Sequence, residues 1–275
     1  MQAKIKEKKT GAEMFYTNPM IRKLAKIKET STEHATYASI GNKCAFFMAM
    51  ILVGVLLMIG LQTINPETYT MDDGSLITIS DANMIAVLPF GLLFLITPFV
   101  AMLIKKTIPV TGTLYCVSVG YCISLLAQLI DEYRDAISLA LLVTVAIVAV
   151  MALVYSKGWI KVDNKFRSIM RILFFTSIVS GVLMLVACFI PQLKSIVMFV
   201  AENPLLSIGG SVLYVVIAAL FLLVDFDTIQ TAVDQHLPRK YEWIAAFGLA
   251  FSVIWLFLKV FDLILKLSGK SDSSK

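Results

Sequence analysis

A chain of 275 residues that is 58% hydrophobic and only 16% charged, with mean hydropathy +0.82, cannot clothe itself in polar surface; an ordinary globular chain is about 25% charged. The net charge of +5 is small and sits mainly in tails and loops, which excludes a nucleic-acid-binding surface. Cys44, Cys116, Cys122 and Cys188 all lie inside apolar runs and read as small buried hydrophobes. The composition therefore predicts an all-α, polytopic integral membrane protein.

Residues 1–40 form a basic tail with eight Lys/Arg, Lys4 to Lys28, before the first apolar run. The tail has no apolar signal-peptide core, so the first membrane helix is expected to act as its own insertion signal. Pro19–Lys28 has the pattern of a short amphipathic surface helix. Runs long enough to cross a bilayer, about 20 apolar residues, then recur at 43–62, 84–104, 108–130, 136–155, 169–190, 205–227 and 243–267. The expected organisation is a cytoplasmic tail (1–40), a seven-helix transmembrane domain (41–268) and a polar C-terminal tail (269–275). Pro89, Pro98 and Pro109 mark kinks or helix starts, and Gly120, Gly181, Gly209, Gly210 and Gly248 are candidate sites of close helix approach.

Charge asymmetry orients the chain. The even-numbered connections carry Lys105, Lys106, Lys157, Lys161, Lys165, Arg167, Arg239 and Lys240, whereas the odd-numbered ones hold only Arg134 and Lys194 beside a series of acids that includes Asp72, Asp73, Asp131, Glu132 and Glu202. The positive-inside rule places the N-terminus in the cytoplasm of a multi-pass cell-membrane protein and, with seven crossings, the C-terminus outside. Basic residues in the C-terminal tail pull against this, so an even helix count with both ends inside is the alternative topology.

The costly feature is a set of acids at the shared end of the last two helices: Asp225 and Asp227 in the sixth, Glu242 at the start of the seventh. An acid in a membrane helix is by default a candidate functional group, since dehydrating it costs several kcal/mol. At about 100° per residue Asp225 and Asp227 point in nearly opposite directions. Asp225, the deeper, is the candidate buried carboxylate, and Asp227 is expected to be solvated. Burial and a nearby cation act in opposite directions on a carboxylate's affinity for protons, and their competition makes a proton sensor. Candidate charge partners are Arg171 and Lys106. Glu242 either complements its helix dipole or faces the aspartates as a second acid.

Other chemistry is poorly supported. The two histidines, His34 and His236, lie in a tail and a loop, which leaves no intramembrane dyad or metal cage. No glycine-rich phosphate loop opens a helix. Asp262 and Lys266 have the residue types of a retinal-binding pair but sit at the outer end of the last helix, where a Schiff-base lysine would not be buried. An enzyme is not expected, nor any resident cofactor or metal.

The segments Leu223-Val-Asp-Phe-Asp-Thr-Ile229 and Arg239-Lys-Tyr-Glu-Trp-Ile-Ala-Ala-Phe-Gly248 resemble the last two helices of bacterial Bax inhibitor-1-like proteins. Asn18–Leu24, Ala35–Lys43 and Lys161–Arg167 extend the likeness over nearly the whole chain. The resemblance implies a seven-helix bundle with the last helix near its centre. It also implies a pH-sensitive calcium leak channel, in which an aspartate of helix six and one of helix seven share protons. Asp225 is similar to the first of these. The second falls on Val253 or Lys259, depending on the anchor chosen, and neither is an acid; a helix-three position often occupied by glutamate falls on Val119. Lys259 facing the bundle would repel a cation, whereas toward the outer interface it would snorkel. The implied partners are the bilayer, calcium ions and protons. The alternative function is a non-conducting regulator that binds other membrane proteins, such as a quality-control protease.

Overall fold

The computed structural model describes residues 34–70, 76–129, 131–190 and 203–272. The surface helix expected over 19–28, Asp72, Asp73, Lys194, Glu202 and the last three residues lie outside this set. Among the described residues the chain forms seven long helices: α1 (Tyr37–Gln62), α2 (Asp81–Leu103), α3 (Ile108–Leu129), α4 (Asp131–Ser156), α5 (Asn164–Phe189), α6 (Pro204–Asp234) and α7 (Glu242–Asp272). Six of these, all but α5, are long and apolar enough to cross a membrane. The helices overrun the apolar runs at their ends, because a helix continues through the interface until a cap or turn stops it. Thr36, Ser80, Asp163 and Asn203 cap α1, α2, α5 and α6 by accepting backbone N–H bonds. Two antiparallel strands unforeseen by apolar patterning, β1 (Pro66–Thr70) and β2 (Leu76–Ser80), join α1 to α2, with Thr68 opposite Thr78.

Side-chain pairing gives each helix its direction. Phe47 and Ile51 of α1 meet Gly112 and Gly120 of α3, so these two run parallel. Tyr155 at the end of α4 meets Phe226 of α6, and Tyr133 near its start meets Phe261 of α7. Arg167 and Phe174 of α5 meet Asp227 and Phe221 of α6 in reverse order. The start of α7 is bonded to the start of α1. The helices therefore alternate in direction from α1 to α7, and α1 and α7 point the same way. That geometry disfavours the even-count topology, with α5 returning the chain between the parallel α4 and α6.

Helix α7 packs against α1, α3, α4 and α6 and is the central element. One core cluster joins it to α1 and α3 through Phe47, Tyr115, Ala246, Phe247 and Ala250; another joins it to α4 and α6 through Ala140, Ala218, Leu222 and Leu256. Lipid-facing apolar residues such as Leu88, Leu142 and Leu183 stay on the outside, as expected where the solvent is hydrocarbon.

Contact between α1 and α3 is closest where glycines remove the side chain. A Cβ on Gly120 would stand 2.0 Å from the Ile51 carbonyl oxygen, and one on Gly54 2.1 Å from that of Val117. Gly54 was not among the expected approach sites. Gly181, Gly209 and Gly210 were, yet among the described residues a Cβ on any of them would meet nothing within 4 Å. A run of sequence does not say which helix face meets a neighbour. Gly120→Ala or Gly54→Ala is expected to cost at least the 1–3 kcal/mol typical of overpacking, read as a lower unfolding temperature in detergent, while Gly60→Ala, with open space around it, leaves stability unchanged.

Candidate functional site

Helix α6 carries Asp225 and Asp227 on different faces, and the two make different contacts. Asp225 points at α7. Its carboxylate takes a hydrogen bond from Ser252, and its Oδ1 lies 3.7 Å from where a Cβ on Gly248 would be. A glycine and a serine one turn apart on α7 thus make the niche: one yields space, the other a single hydroxyl. Oδ2 is buried and has no hydrogen-bond partner. Among the described residues only Thr144 Oγ1 and Tyr241 OH share that condition, and neither belongs to an acid. Cys44 of α1 lies near enough to interact electrostatically with Asp225, so the niche is bounded by α1, α6 and α7.

Asp227 is not simply solvated, which corrects the expectation from its helical angle. It pairs with Arg167 at the start of α5, whose side chain is only 6% exposed against 19% for Asp227. A buried guanidinium requires such a partner, and the pair ties α5 to α6 beside the Tyr155–Gln230 hydrogen bond from α4. The cation lies 60 residues upstream, in a segment that reads as an ordinary basic loop.

Glu242 is fully buried and fully bonded. It accepts from the Thr36 backbone N–H at 3.1 Å, from Ser39 Oγ at 2.6 Å and from Lys43 Nζ at 2.6 Å, with Arg239 Nε 3.7 Å away. The start of α1 is thereby fixed to the start of α7. Asp225 meets α7 six to ten residues further on, roughly 9–15 Å along the axis. The two acids occupy different levels of the bundle, and Glu242 does not face Asp225 as a second carboxylate.

The candidate cations are also elsewhere. Arg171 donates to Ser168 at 3.2 Å, and Lys106 lines a basic cavity with Lys105, Arg239 and Lys240. Lys259 lies over the ring of Tyr214, 4.9 Å from its centroid, a cation–π contact that shields its charge. Val253 and Val119 are packed into the two core clusters. Among the described residues Asp225 has no cationic partner. At the far end of the α6–α7 pair, Asp262 Oδ2 accepts from Ser211 Oγ at 2.7 Å and Lys266 Nζ at 2.8 Å. This polar clasp was not expected, because its serine lies 51 residues before the aspartate. No group of three His, Cys, Asp or Glu side chains converges among the described residues.

The three acids are expected to differ under substitution. Glu242→Ala strands Lys43 and the start of α1 and should cost about 3–5 kcal/mol, as for other broken buried pairs; a melting temperature unchanged in detergent would contradict this. Asp227→Asn should destabilise through the stranded Arg167, whereas Asp225→Asn, which removes an incompletely bonded buried charge, should leave stability unchanged or higher. Thermal unfolding of the two variants side by side reads the contrast.

Comparison with known proteins agrees with the architecture. No curated protein and no solved structure gives a significant match. A family model described as Bax inhibitor 1 like matches residues 18–269, nearly the whole chain. With an alternating bundle of long apolar helices wrapped around α7, the chain belongs to the Bax inhibitor 1 like family of multi-pass membrane proteins.

Proposed function

We propose that this protein is a pH-responsive cation leak pathway, with calcium as the leading ion and Asp225 as the group that senses protons. The observation that carries the reading is the niche at Asp225: a buried carboxylate with one hydroxyl donor, one unpartnered oxygen and no cation among the described residues. Such a group has no structural task comparable to that of Glu242 or Asp227, which supports reading it as a functional acid. A carboxyl group with so little support changes charge state with small changes in its surroundings. A change of charge there would alter how α6 and α7 pack, because Ser252 and Gly248 are its immediate contacts.

A single acid also fits passage better than storage. A conducting site must bind an ion weakly enough to release it, and one carboxylate with a hydroxyl is a weak ligand set for calcium, which takes six to eight oxygens. At the opposite end of α6 and α7 the Ser211–Asp262–Lys266 clasp and the Lys259–Tyr214 contact draw the helices together.

The same singleness favours the second reading, a regulator that does not conduct and instead binds other membrane proteins, since a proton-sharing pair would need an acid where Val253 and Lys259 stand. Calcium flux into dye-loaded proteoliposomes, measured from acid to alkaline pH, separates the two. Wild-type flux that varies with pH, and an Asp225→Asn variant with flux independent of pH, is the expected result. Unaltered pH dependence in the folded, inserted variant excludes Asp225 as sensor. Absence of wild-type flux at every pH transfers the assignment to the regulatory reading.

A further inference from the structure

His34 and His236 are the only two histidines of the chain, 202 residues apart, and the fold brings them together at the end of the bundle that holds the Glu242 network. Their rings meet edge-on, with centroids 5.5 Å apart and planes 80° to each other. Backbone contacts hold them in place. Ala35 N–H donates to Leu237 O at 2.8 Å, and His34 forms an antiparallel bridge with Pro238. The entry to α1 is thus paired, strand-fashion, with the turn before α7. The leak pathway makes no use of either ring. The position of His236 is also a demanding one for a histidine. Helix α6 ends in a turn where His236 N–H donates to Val233 O and Leu237 N–H to Ala232 O, which sets His236 at a φ of 53°. That left-handed step falls by preference to glycine or asparagine. Strained backbone of this kind clusters at ligand sites, and here the strained residue is the one whose ring meets His34.

Hydrogen bonds decide which ring nitrogen is available. His34 Nδ1 lies 3.0 Å from His236 O, and His236 Nδ1 lies 3.1 Å from Asp234 O. A carbonyl oxygen only accepts, so in both rings Nδ1 carries the proton and Nε2 the lone pair. Metal-binding histidines are held in this way, one nitrogen on the ion and the other donating to a backbone carbonyl or carboxylate. Two imidazoles that share a zinc ion at about 2.0–2.1 Å with a tetrahedral angle between them hold their centroids about 5 Å apart. The 5.5 Å found here matches that spacing. Both residues are exposed, so an ion reaches them from water without entering the bilayer. We propose that His34 and His236 form a two-imidazole binding site for a divalent transition-metal ion of the zinc, copper or nickel type, the ions that imidazole suits. Water fills the remaining coordination positions, so the ion exchanges freely, unlike one in a closed four-ligand cage. Once bound, it clamps the entry of α1 against the α6–α7 turn.

Copper(II) is the first probe, because among first-row divalent ions it binds such ligands most strongly. Full-length protein without an affinity tag, in detergent and loaded with one equivalent of copper, should show the remote nitrogens of two imidazoles in pulsed electron paramagnetic resonance. Their absence from the wild type overturns the site by itself. His34→Gln and His236→Asn each remove one imidazole, and asparagine tolerates the left-handed backbone, so the turn is kept. Each variant should lose the two-imidazole signature. Each should also weaken zinc binding, read by calorimetry, by at least about a hundredfold, the gain that a second linked donor supplies. Zinc should raise the unfolding temperature of the wild type and leave that of both variants unchanged. A two-imidazole signature that survives in either variant, or equal zinc affinity in wild type and variants, overturns the proposal. Binding of one ion per two chains assigns the imidazoles to a contact between molecules and overturns the clamp. None of these readouts depends on ion flux through the bundle.

Discussion

A carboxylate buried without water must have its charge answered, and in this bundle the answer given to Glu242 sets the register of everything around it. Its partners are the first residues of α1 and the turn before α7, so α1 cannot slide or rotate against α7 without stranding a charge. The same end is stitched further by backbone and ring: Ala35 N–H donates to Leu237 O at 2.8 Å, and His34 packs edge-on against His236. Once that level is fixed, Phe47 falls opposite Phe247 and Cys44 opposite Ala246. At the other end of α1, Asn83 of α2 donates to Gln62 and to the Met58 carbonyl and accepts from Tyr121 of α3. Helix α1 is thus held by polar groups at both ends and by glycine contacts between, an economical solution where lipid gives apolar side chains little reason to prefer each other.

Against that background the three acids of the α6–α7 region separate by how completely they are satisfied. Glu242 has a backbone amide, a hydroxyl and an ammonium; Asp227 has a guanidinium; Asp225 has one hydroxyl. Glu242 is fully buried, Asp227 only partly, and Asp225 has a buried Oδ2, so burial does not by itself distinguish structural from functional acids. The distinguishing quantity is the partner set. Well-answered charges hold elements in place, and poorly answered ones are sites where a proton or an ion can alter the balance.

Much of this was legible in the sequence. Seven apolar runs gave seven helices because, in a membrane, length and apolarity are nearly the whole requirement on a spanning segment. The depth of Asp225 followed from its place in an apolar run, and helical periodicity put Asp225 and Asp227 on different faces. What could not be read was partnership. Arg167 for Asp227, Ser39 and Lys43 for Glu242, and Ser211 for Asp262 come from distant parts of the chain, and no local pattern announces them. Gly54 and Gly181 look alike in sequence, yet one touches a neighbouring backbone and the other faces open space. Strands β1 and β2 were missed for a different reason: β1 is exposed along its length and carries none of the apolar alternation that marks a half-buried strand.

The central position of α7 bears on how the protein is made. Synthesis runs from the N-terminus, so the first six helices enter the membrane before the element that four of them enclose exists. Until Glu242–Asp272 emerges, the faces of α1, α3, α4 and α6 that enclose it have no occupant, and Lys43 has no Glu242 to meet. The nascent bundle is a ring awaiting its axle. Its final insertion brings a buried carboxylate to a waiting ammonium, so assembly ends with an electrostatic closure that a chain truncated before the last helix could never make.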